Sequence, residues 1–211
     1  MAPTTPLETE KSMHYSSGIY HKVTKKTDVR LSGYYNRIHD YAVLDRGRGI
    51  FESKYAYNID RVNIYGVELE LTQGLIWGIG GFANYTYQEW NMENDIDVEP
   101  FLLNVLPKHK LNIGLRYQAT EDLIFLGDLG YRSSRERKFS QASLASGVVY
   151  DVDPGPLDSY TVFDLGVEYS FYKKKGKLTI YCENVFGTNY EETYGFYMPR
   201  QNWGLSLSYT F

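Results

Sequence analysis

Large apolar residues recur at every second position along this chain, and that period constrains it more than any other feature. In the last segment Trp203, Leu205, Leu207, Tyr209 and Phe211 alternate with Asn202, Gly204, Ser206, Ser208 and Thr210. Residues 160–171 repeat the pattern, with Thr161, Phe163, Leu165, Val167, Tyr169 and Phe171 opposed to Asp164, Gly166, Glu168 and Ser170. Residues 108–117 do so again, with His109, Leu111, Ile113, Leu115 and Tyr117 facing away from Lys108, Lys110, Asn112, Gly114 and Arg116. Side chains on a β-strand point alternately to its two faces, so a period of two predicts strands with one apolar and one polar face. Six further segments fit less regularly: 13–22, 28–43, 62–72, 76–90, 123–132 and 177–186. The expectation is nine strands and an all-β fold.

Several of these strands reach ten residues or more. Globular strands centre on about 5–6 residues, whereas about 9–11 tilted residues cross a bilayer. The connections also sort by length. Segments 23–27, 73–75, 119–122 and 172–176 are tight, and between them lie the long segments 44–61, 91–107, 133–159 and 187–201. Tight turns on one rim and long loops on the other are the mark of a bacterial outer-membrane barrel. Tyr and Trp gather near strand ends, at Tyr34, Tyr35, Trp77, Tyr85, Tyr87, Trp90, Tyr117, Tyr131, Tyr169, Trp203 and Tyr209, as an interfacial girdle requires. A mean hydropathy of −0.43 does not oppose this, because alternation averages to polar. A soluble sandwich would also alternate, with shorter strands and its polar face outward. No stretch approaches the roughly 18–20 apolar residues of a membrane helix.

A net charge of −4 gives no reason to expect nucleic acid as a partner. The single cysteine, Cys182, excludes an internal disulfide framework, and its neighbours Leu178 and Ile180 place it on an apolar, lipid-facing side. Residues 1–12 are rich in Pro, Thr and Glu without the apolar stretch of a signal peptide, and are expected as a flexible N-terminal segment or extracellular loop remnant before a 13–211 barrel segment. A barrel bound for the outer membrane needs such a signal, so the chain as given reads as mature or incomplete.

Catalytic and metal chemistry find little to stand on. His14, His21, His39 and His109 show no metal-ligand spacing. His109 reads onto the lipid face while Asp128 and Asp164 read onto the lumen, and opposite faces cannot form a triad. The chain is therefore not expected to be an enzyme, and no cofactor is expected. Gly78-Ile79-Gly80-Gly81 lacks the following helix of a phosphate loop, and reads as a strand permitting close approach. One acidic run, Glu93, Asp95, Asp97 and Glu99, is a candidate external site for a hard cation, set against the plainer reading of a solvated loop. Charges on the polar faces, among them Glu68, Glu70, Lys110, Arg116, Asp128 and Glu168, suit a wet lumen.

The ordered motifs resemble the end of TonB-dependent receptors. They are Ile64-Tyr65-Gly66-Val67-Glu68-Leu69-Glu70, then Leu106-Pro107-Lys108-His109-Lys110, then Tyr160-Thr161-Val162-Phe163-Asp164-Leu165-Gly166. Leu178 to Tyr190 follows, with Asn184, Phe186 and Tyr190 in the usual places, and then Pro199-Arg200 and the terminal Phe211. Glu10-Lys11-Ser12 fits an earlier strand start, so the resemblance covers residues 10–211.

The resemblance implies an antiparallel transmembrane barrel of about twenty-two strands around a plug, of which this chain supplies the last nine. It implies short periplasmic turns, long extracellular loops and uptake of a ferric siderophore, haem, cobalamin or similar scarce nutrient. Its implied partners are outer-membrane lipid, the barrel-insertion machinery, the remaining strands and plug, and TonB through that plug. Loop residues Tyr190, Tyr194, Phe196 and Tyr197 are the candidate ligand contacts. Trp203, Leu205, Leu207, Tyr209 and Phe211 form the candidate assembly signal. The alternative is a small self-contained barrel acting as a passive pore or structural protein. Nine antiparallel strands leave the first and last running the same way, so such a barrel cannot close antiparallel unless residues 51–59 add a tenth strand.

Overall fold

The computed structural model describes residues 7–45, 55–93, 106–135, 139–142, 149–152, 155–193 and 196–211. It contains β1 (Lys11–Thr24), β2 (Thr27–Asp45), β3 (Tyr55–Ile76), β4 (Ile79–Glu93), β5 (His109–Gln118), β6 (Leu123–Arg132), β7 (Phe139–Ala142), β8 (Val149–Val152), β9 (Tyr160–Phe171), β10 (Gly176–Glu183), β11 (Glu191–Thr193), β12 (Phe196–Tyr197) and β13 (Asn202–Tyr209). Nine of them form one sheet in the order β1-β2-β3-β4-β5-β6-β9-β10-β13, every adjacent pair antiparallel. All nine expected strands are present. The pairs β7–β8 and β11–β12 are small hairpins inside two of the long loops.

The register carries the alternation across the whole wall. One row runs Leu31, Leu69, Tyr85, Leu111, Tyr131 from β2 to β6, and another runs Phe125, Val167, Ile180, Leu205 from β6 to β13. All lie on the outer face, where Ile19 and Leu205 are 71% and 69% exposed. The opposite face presents Arg30 with Glu70 at 3.8 Å, Lys177 with Glu168 at 3.2 Å, and Asp128 in register with Asp164. Water-soluble sheets bury their apolar face; this wall displays it, which only a hydrocarbon solvent makes favourable.

Two members of the expected girdle face the other way. Tyr34 and Trp90 have the parity of the wet face; Tyr34 donates to Gln88 Oε1 at 3.4 Å, and Trp90 packs into an apolar cluster. That cluster centres on fully buried Ile59 and Val62, with Ile38, Tyr41, Ile64, Met92 and Leu106 around them. It sits at the long-loop ends of β2–β4, strands of 19, 22 and 15 residues that exceed a membrane crossing. There the outer face turns polar, with Arg37, His39, Arg61, Asn63 and Asn91 following Tyr15, Tyr35 and Tyr65. The polarity inverts where the wall leaves hydrocarbon.

Several boundaries move. The β3–β4 turn lies at Trp77-Gly78 rather than 73–75, because φ of 52° and 81° at these two residues supplies the paired left-handed conformations of a type I′ hairpin turn. Residues 55–59 extend β3 and pair with β2, so they add no tenth strand; residues 51–54 lie outside the described residues. β10 ends at Glu183 rather than 186, because Asn184 takes φ 50° and turns the chain. Cys182 lies on the outer face as expected but is only 4% exposed, in register between Leu165 and Trp203.

Candidate ligand-facing loop site

The loop after β10 is shaped by one side chain. Asn tolerates the left-handed region better than most residues, and Asn184 uses it to turn out of the sheet. Its backbone N–H donates to Asp164 Oδ1 at 2.7 Å, and its Nδ2 donates to the carbonyls of Thr188 at 2.8 Å and Pro199 at 3.2 Å. Its Oδ1 accepts from the Thr188 N–H at 2.8 Å. With 3% exposure and every amide group engaged, Asn184 fixes both the start and the return of this loop.

A second residue ties that loop to the one between β6 and β9. Arg135 is 8% exposed and exchanges backbone hydrogen bonds with Leu157 at 3.0 and 2.9 Å. Its Nη1 donates to the Glu192 carbonyl at 3.0 Å and its Nη2 to the Glu191 carbonyl at 2.8 Å. Its guanidinium carbon lies 5.9 Å from the centre of the Tyr160 ring, which stacks on Tyr190 at 4.2 Å. The Tyr160 hydroxyl closes the circuit by donating to Glu192 Oε1 at 3.1 Å. Burial, helped by the carboxylates of Glu192, Asp164 and Glu183, pushes the Tyr190 phenol up from its ordinary value, so it acts as a neutral ring and hydroxyl.

Of the loop residues expected from sequence, Tyr190 is therefore half-buried in this cluster, while Phe196 and Tyr197 stand 70% and 68% exposed on β12. Tyr194 lies outside the described residues, as do Asp95, Asp97 and Glu99. Glu93 ends β4 with its carboxylate 2.7 Å from Arg61 Nη1. Among the described residues no three His, Cys, Asp or Glu side chains converge as a metal site would require. His109 bonds Tyr85 on the outer face at 2.8 Å, away from Asp128 and Asp164. Trp203, Leu205, Leu207 and Tyr209 form one exposed outer ridge on β13, with Phe211 fully exposed beyond it. Sequence reasoning missed Arg135 altogether and saw Asn184 only as part of a motif. The φ-tolerant Asn at a strand end was a signal for the second; nothing local marks the first.

Toward the tight turns, the wet face holds a hollow of 640 Å³. Glu70, Thr72, Asn84, Arg116 and Asp128 line it, and the Phe82 ring packs against Gly114. Its lining is more apolar than polar, with Leu75, Phe82 and Leu126 set among these groups.

A family profile described as "TonB dependent receptor-like, beta-barrel" matches residues 1–185. The chain belongs to the TonB-dependent receptor β-barrel family. The iron-regulated outer membrane virulence protein of Vibrio cholerae is 29% identical over 160 residues, 74% of this chain and 23% of that protein. Among solved structures, the FrpB iron transporter of Neisseria meningitidis superposes with a TM-score of 0.77 at 14% identity, covering 98% of this chain and 32% of that one. The pyoverdine outer membrane receptor FpvA of Pseudomonas aeruginosa gives 0.75 at 17% identity, covering 97% and 30%. This TonB-dependent receptor chain thus spans about a quarter to a third of the length of the relatives it matches. It is an outer-membrane barrel segment of a receptor family.

Proposed function

We propose that this chain is the C-terminal part of the wall of a TonB-dependent receptor that imports a scarce, iron-bearing nutrient such as a ferric siderophore. The observation carrying this reading is the nine-strand antiparallel wall, lipid-compatible on one face and wet on the other, in a chain matching that family over residues 1–185. The iron in the names of its relatives favours iron cargo over cobalamin or a glycan. The remaining strands would pair with the free edges of β1 and β13, which do not pair with each other among the described residues. A plug would pack against the wet face and its charges, and would carry the contact with TonB. Residues 7–10 precede the wall, which begins with β1 at Lys11 rather than at residue 13, and we assign them as loop leading into it. The long loops would face outward, with Tyr190, Phe196 and Tyr197 offered to cargo and Tyr194 beside them. Glu93, Asp95, Asp97 and Glu99 would form an exposed acidic loop rather than a cation site, since Glu93 is already paired with Arg61.

The passive-pore alternative is disfavoured by the same sheet: β1 and β13 run parallel, so their edges cannot complete an antiparallel cylinder, and edges left open in lipid leave main-chain groups unsatisfied. The test is ferric-siderophore uptake under iron limitation in cells bearing or lacking the full-length receptor, with TonB present or deleted. Uptake that depends on both supports the proposal. Equal uptake without TonB, or stepwise conductance in planar bilayers by the 211 residues alone, would return the pore reading.

A further inference from the structure

The outer face of a membrane wall is an unusual place for clustered basic side chains, and β1–β3 carry such a cluster. Lys11 is in register with His39, and His39 with Arg61. One step nearer the membrane, Arg37 lies between Met13 and Asn63, so its neighbours directly across the ladder are uncharged. On the diagonals it is flanked by Lys11 and Arg61. All four side chains share the face that, farther along the same strands, carries Ile19, Leu31 and Leu69. Lys11, Arg37 and Arg61 bring three like charges to that face, and like charges packed on one face of a sheet repel. Two carboxylates adjoin the group: Asp40 lies 3.8 Å from Lys11, whose side chain is 74% exposed, and Glu93 lies 2.7 Å from Arg61. Asp40 is taken up at the Lys11 margin, while Glu93, bonded to Arg61, also acts on Arg37 at longer range. At the centre Arg37 rests on Tyr35, its guanidinium carbon 5.8 Å from the ring centre and its Nη2 donating to the hydroxyl at 3.3 Å. That hydroxyl donates in turn to Asn63 Oδ1 at 2.7 Å, and Asn63 to Asn91 at 2.8 Å, so the platform under Arg37 is braced across three strands.

We propose that Lys11, Arg37, His39 and Arg61 form a docking site for the phosphate groups of a phosphorylated glycolipid in the outer leaflet of the membrane. The placement argues for a lipid. The cations stand just beyond the Tyr15–Tyr35–Tyr65 row, where a bilayer passes from hydrocarbon to headgroup, and they face outward rather than into the lumen or over the mouth. The chemistry argues for phosphate. A guanidinium offers a planar fork of donors that matches phosphate oxygens, and a nearby ammonium adds charge without competing for that geometry. The acyl chains of such a lipid would lie along Ile19, Leu31 and Leu69 on the same face, so one molecule would satisfy both halves of the surface. This inference rests on the outer-membrane reading of the wall but not on its cargo.

The test uses the full-length receptor purified from outer membranes and presented with detergent-solubilised bisphosphorylated lipid A, its dephosphorylated form, or inorganic phosphate. Native mass spectrometry counts the retained lipid, and heat-modifiable gel mobility reports folding. Arg37→Gln should lower retention about fivefold, the effect of one cation at an anionic headgroup surface. Lys25→Gln, which removes the same charge from the turn at the opposite rim, should leave retention unchanged. Arg37→Lys should fall between wild type and Arg37→Gln. Dephosphorylated lipid A should not be retained, and millimolar inorganic phosphate should not displace the lipid. If Arg37→Gln loses heat-modifiable mobility, Lys11→Gln at the exposed margin is read in its place, with the same expected loss. Equal retention by Arg37→Gln (or its replacement) and Lys25→Gln would overturn the proposal. Displacement by inorganic phosphate would overturn it too, making the cluster a soluble-anion site. Ferric-siderophore uptake measured on the same variants separates the two readings, since lipid loss with uptake intact leaves the receptor function standing.

Discussion

Arg135 and Glu192 meet across 57 residues of sequence, the arginine Nη1 donating to the glutamate carbonyl at 3.0 Å. With the companion bond to the Glu191 carbonyl, this single side chain makes the β6–β9 and β10–β13 loops one body. Hydrogen bonds from a charged donor contribute about 1.5–3 kcal/mol each, so Arg135→Ala should raise amide exchange in residues 187–193 by at least about tenfold. Arg135→Lys, which keeps the charge but not the fork, should recover only part of the protection. Hydrogen exchange of the full-length receptor measures both, and unchanged protection in Arg135→Ala would deny the staple.

Leu205 and Ser206 are adjacent in sequence and opposite in surroundings. Leu205 stands in the outer row with Ile180 and Val167; Ser206 stands in the wet row with Thr179 and Glu168. Arginine on the lipid face near the midplane costs about 2–4 kcal/mol, and little in the lumen. Leu205→Arg should therefore lower refolding stability by that amount in lipid vesicles while Ser206→Arg shifts it by less than about 1 kcal/mol. A reversed order would mean the register is off by one.

The β4–β5 contact leaves no room at Gly81, where an added Cβ would run into the Gly114 carbonyl oxygen. The obstruction is backbone and cannot swing aside. Gly81→Ala should cost about 1–3 kcal/mol through forced displacement of β5. At Gly33 the nearest atom to an added Cβ is 3.7 Å away, an ordinary contact, so Gly33→Ala serves as the tolerated control. Urea titration of the refolded receptor separates the two; equal midpoints would contradict the close approach.

Phe211 is fully exposed and touches Tyr209 edge-on at 5.3 Å. Its deletion removes little packing. If Trp203, Leu205, Leu207, Tyr209 and Phe211 act together as the signal for insertion, surface levels of the receptor should nonetheless fall several-fold, read by cell-surface labelling. Unchanged levels would leave β13 merely amphipathic.

Protease added to intact cells should cut between residues 133 and 159, on the long-loop rim, and spare residues 172–175. Cleavage confined to Tyr172–Lys175 would invert the wall in the membrane.

The nine strands were legible because lipid enforces a period of two on every one of them, and the register then follows from keeping Leu31, Leu69 and Tyr85 on one side. Where that enforcement stops, so did the reading. Beyond the Tyr35–Tyr65 row, Ile38, Val62, Ile64 and Trp90 face inward, and a pattern calibrated on lipid assigned Trp90 to the girdle. The β3–β4 turn was misplaced because its left-handed pair is Trp-Gly, and Trp carries no turn signal of its own. The loop cluster was the least legible part. Arg135, Tyr160, Tyr190 and Glu192 are brought together by the spacing of β6, β9 and β10 in the sheet, a relationship no local stretch of sequence encodes.

A wall in which each strand touches only its two neighbours is a natural substrate for recombination, since a block of hairpins can be exchanged wherever both new seams restore a ladder. The tight turns at 25–26, 77–78, 119–122 and 172–175 are the places to join such blocks without disturbing a long loop. The loops impose one restriction on that freedom. A junction at 172–175 would put Arg135 in one parent's block and its two acceptor carbonyls in the other's, so receptors of this type should exchange β6 through β13 as a single inherited unit.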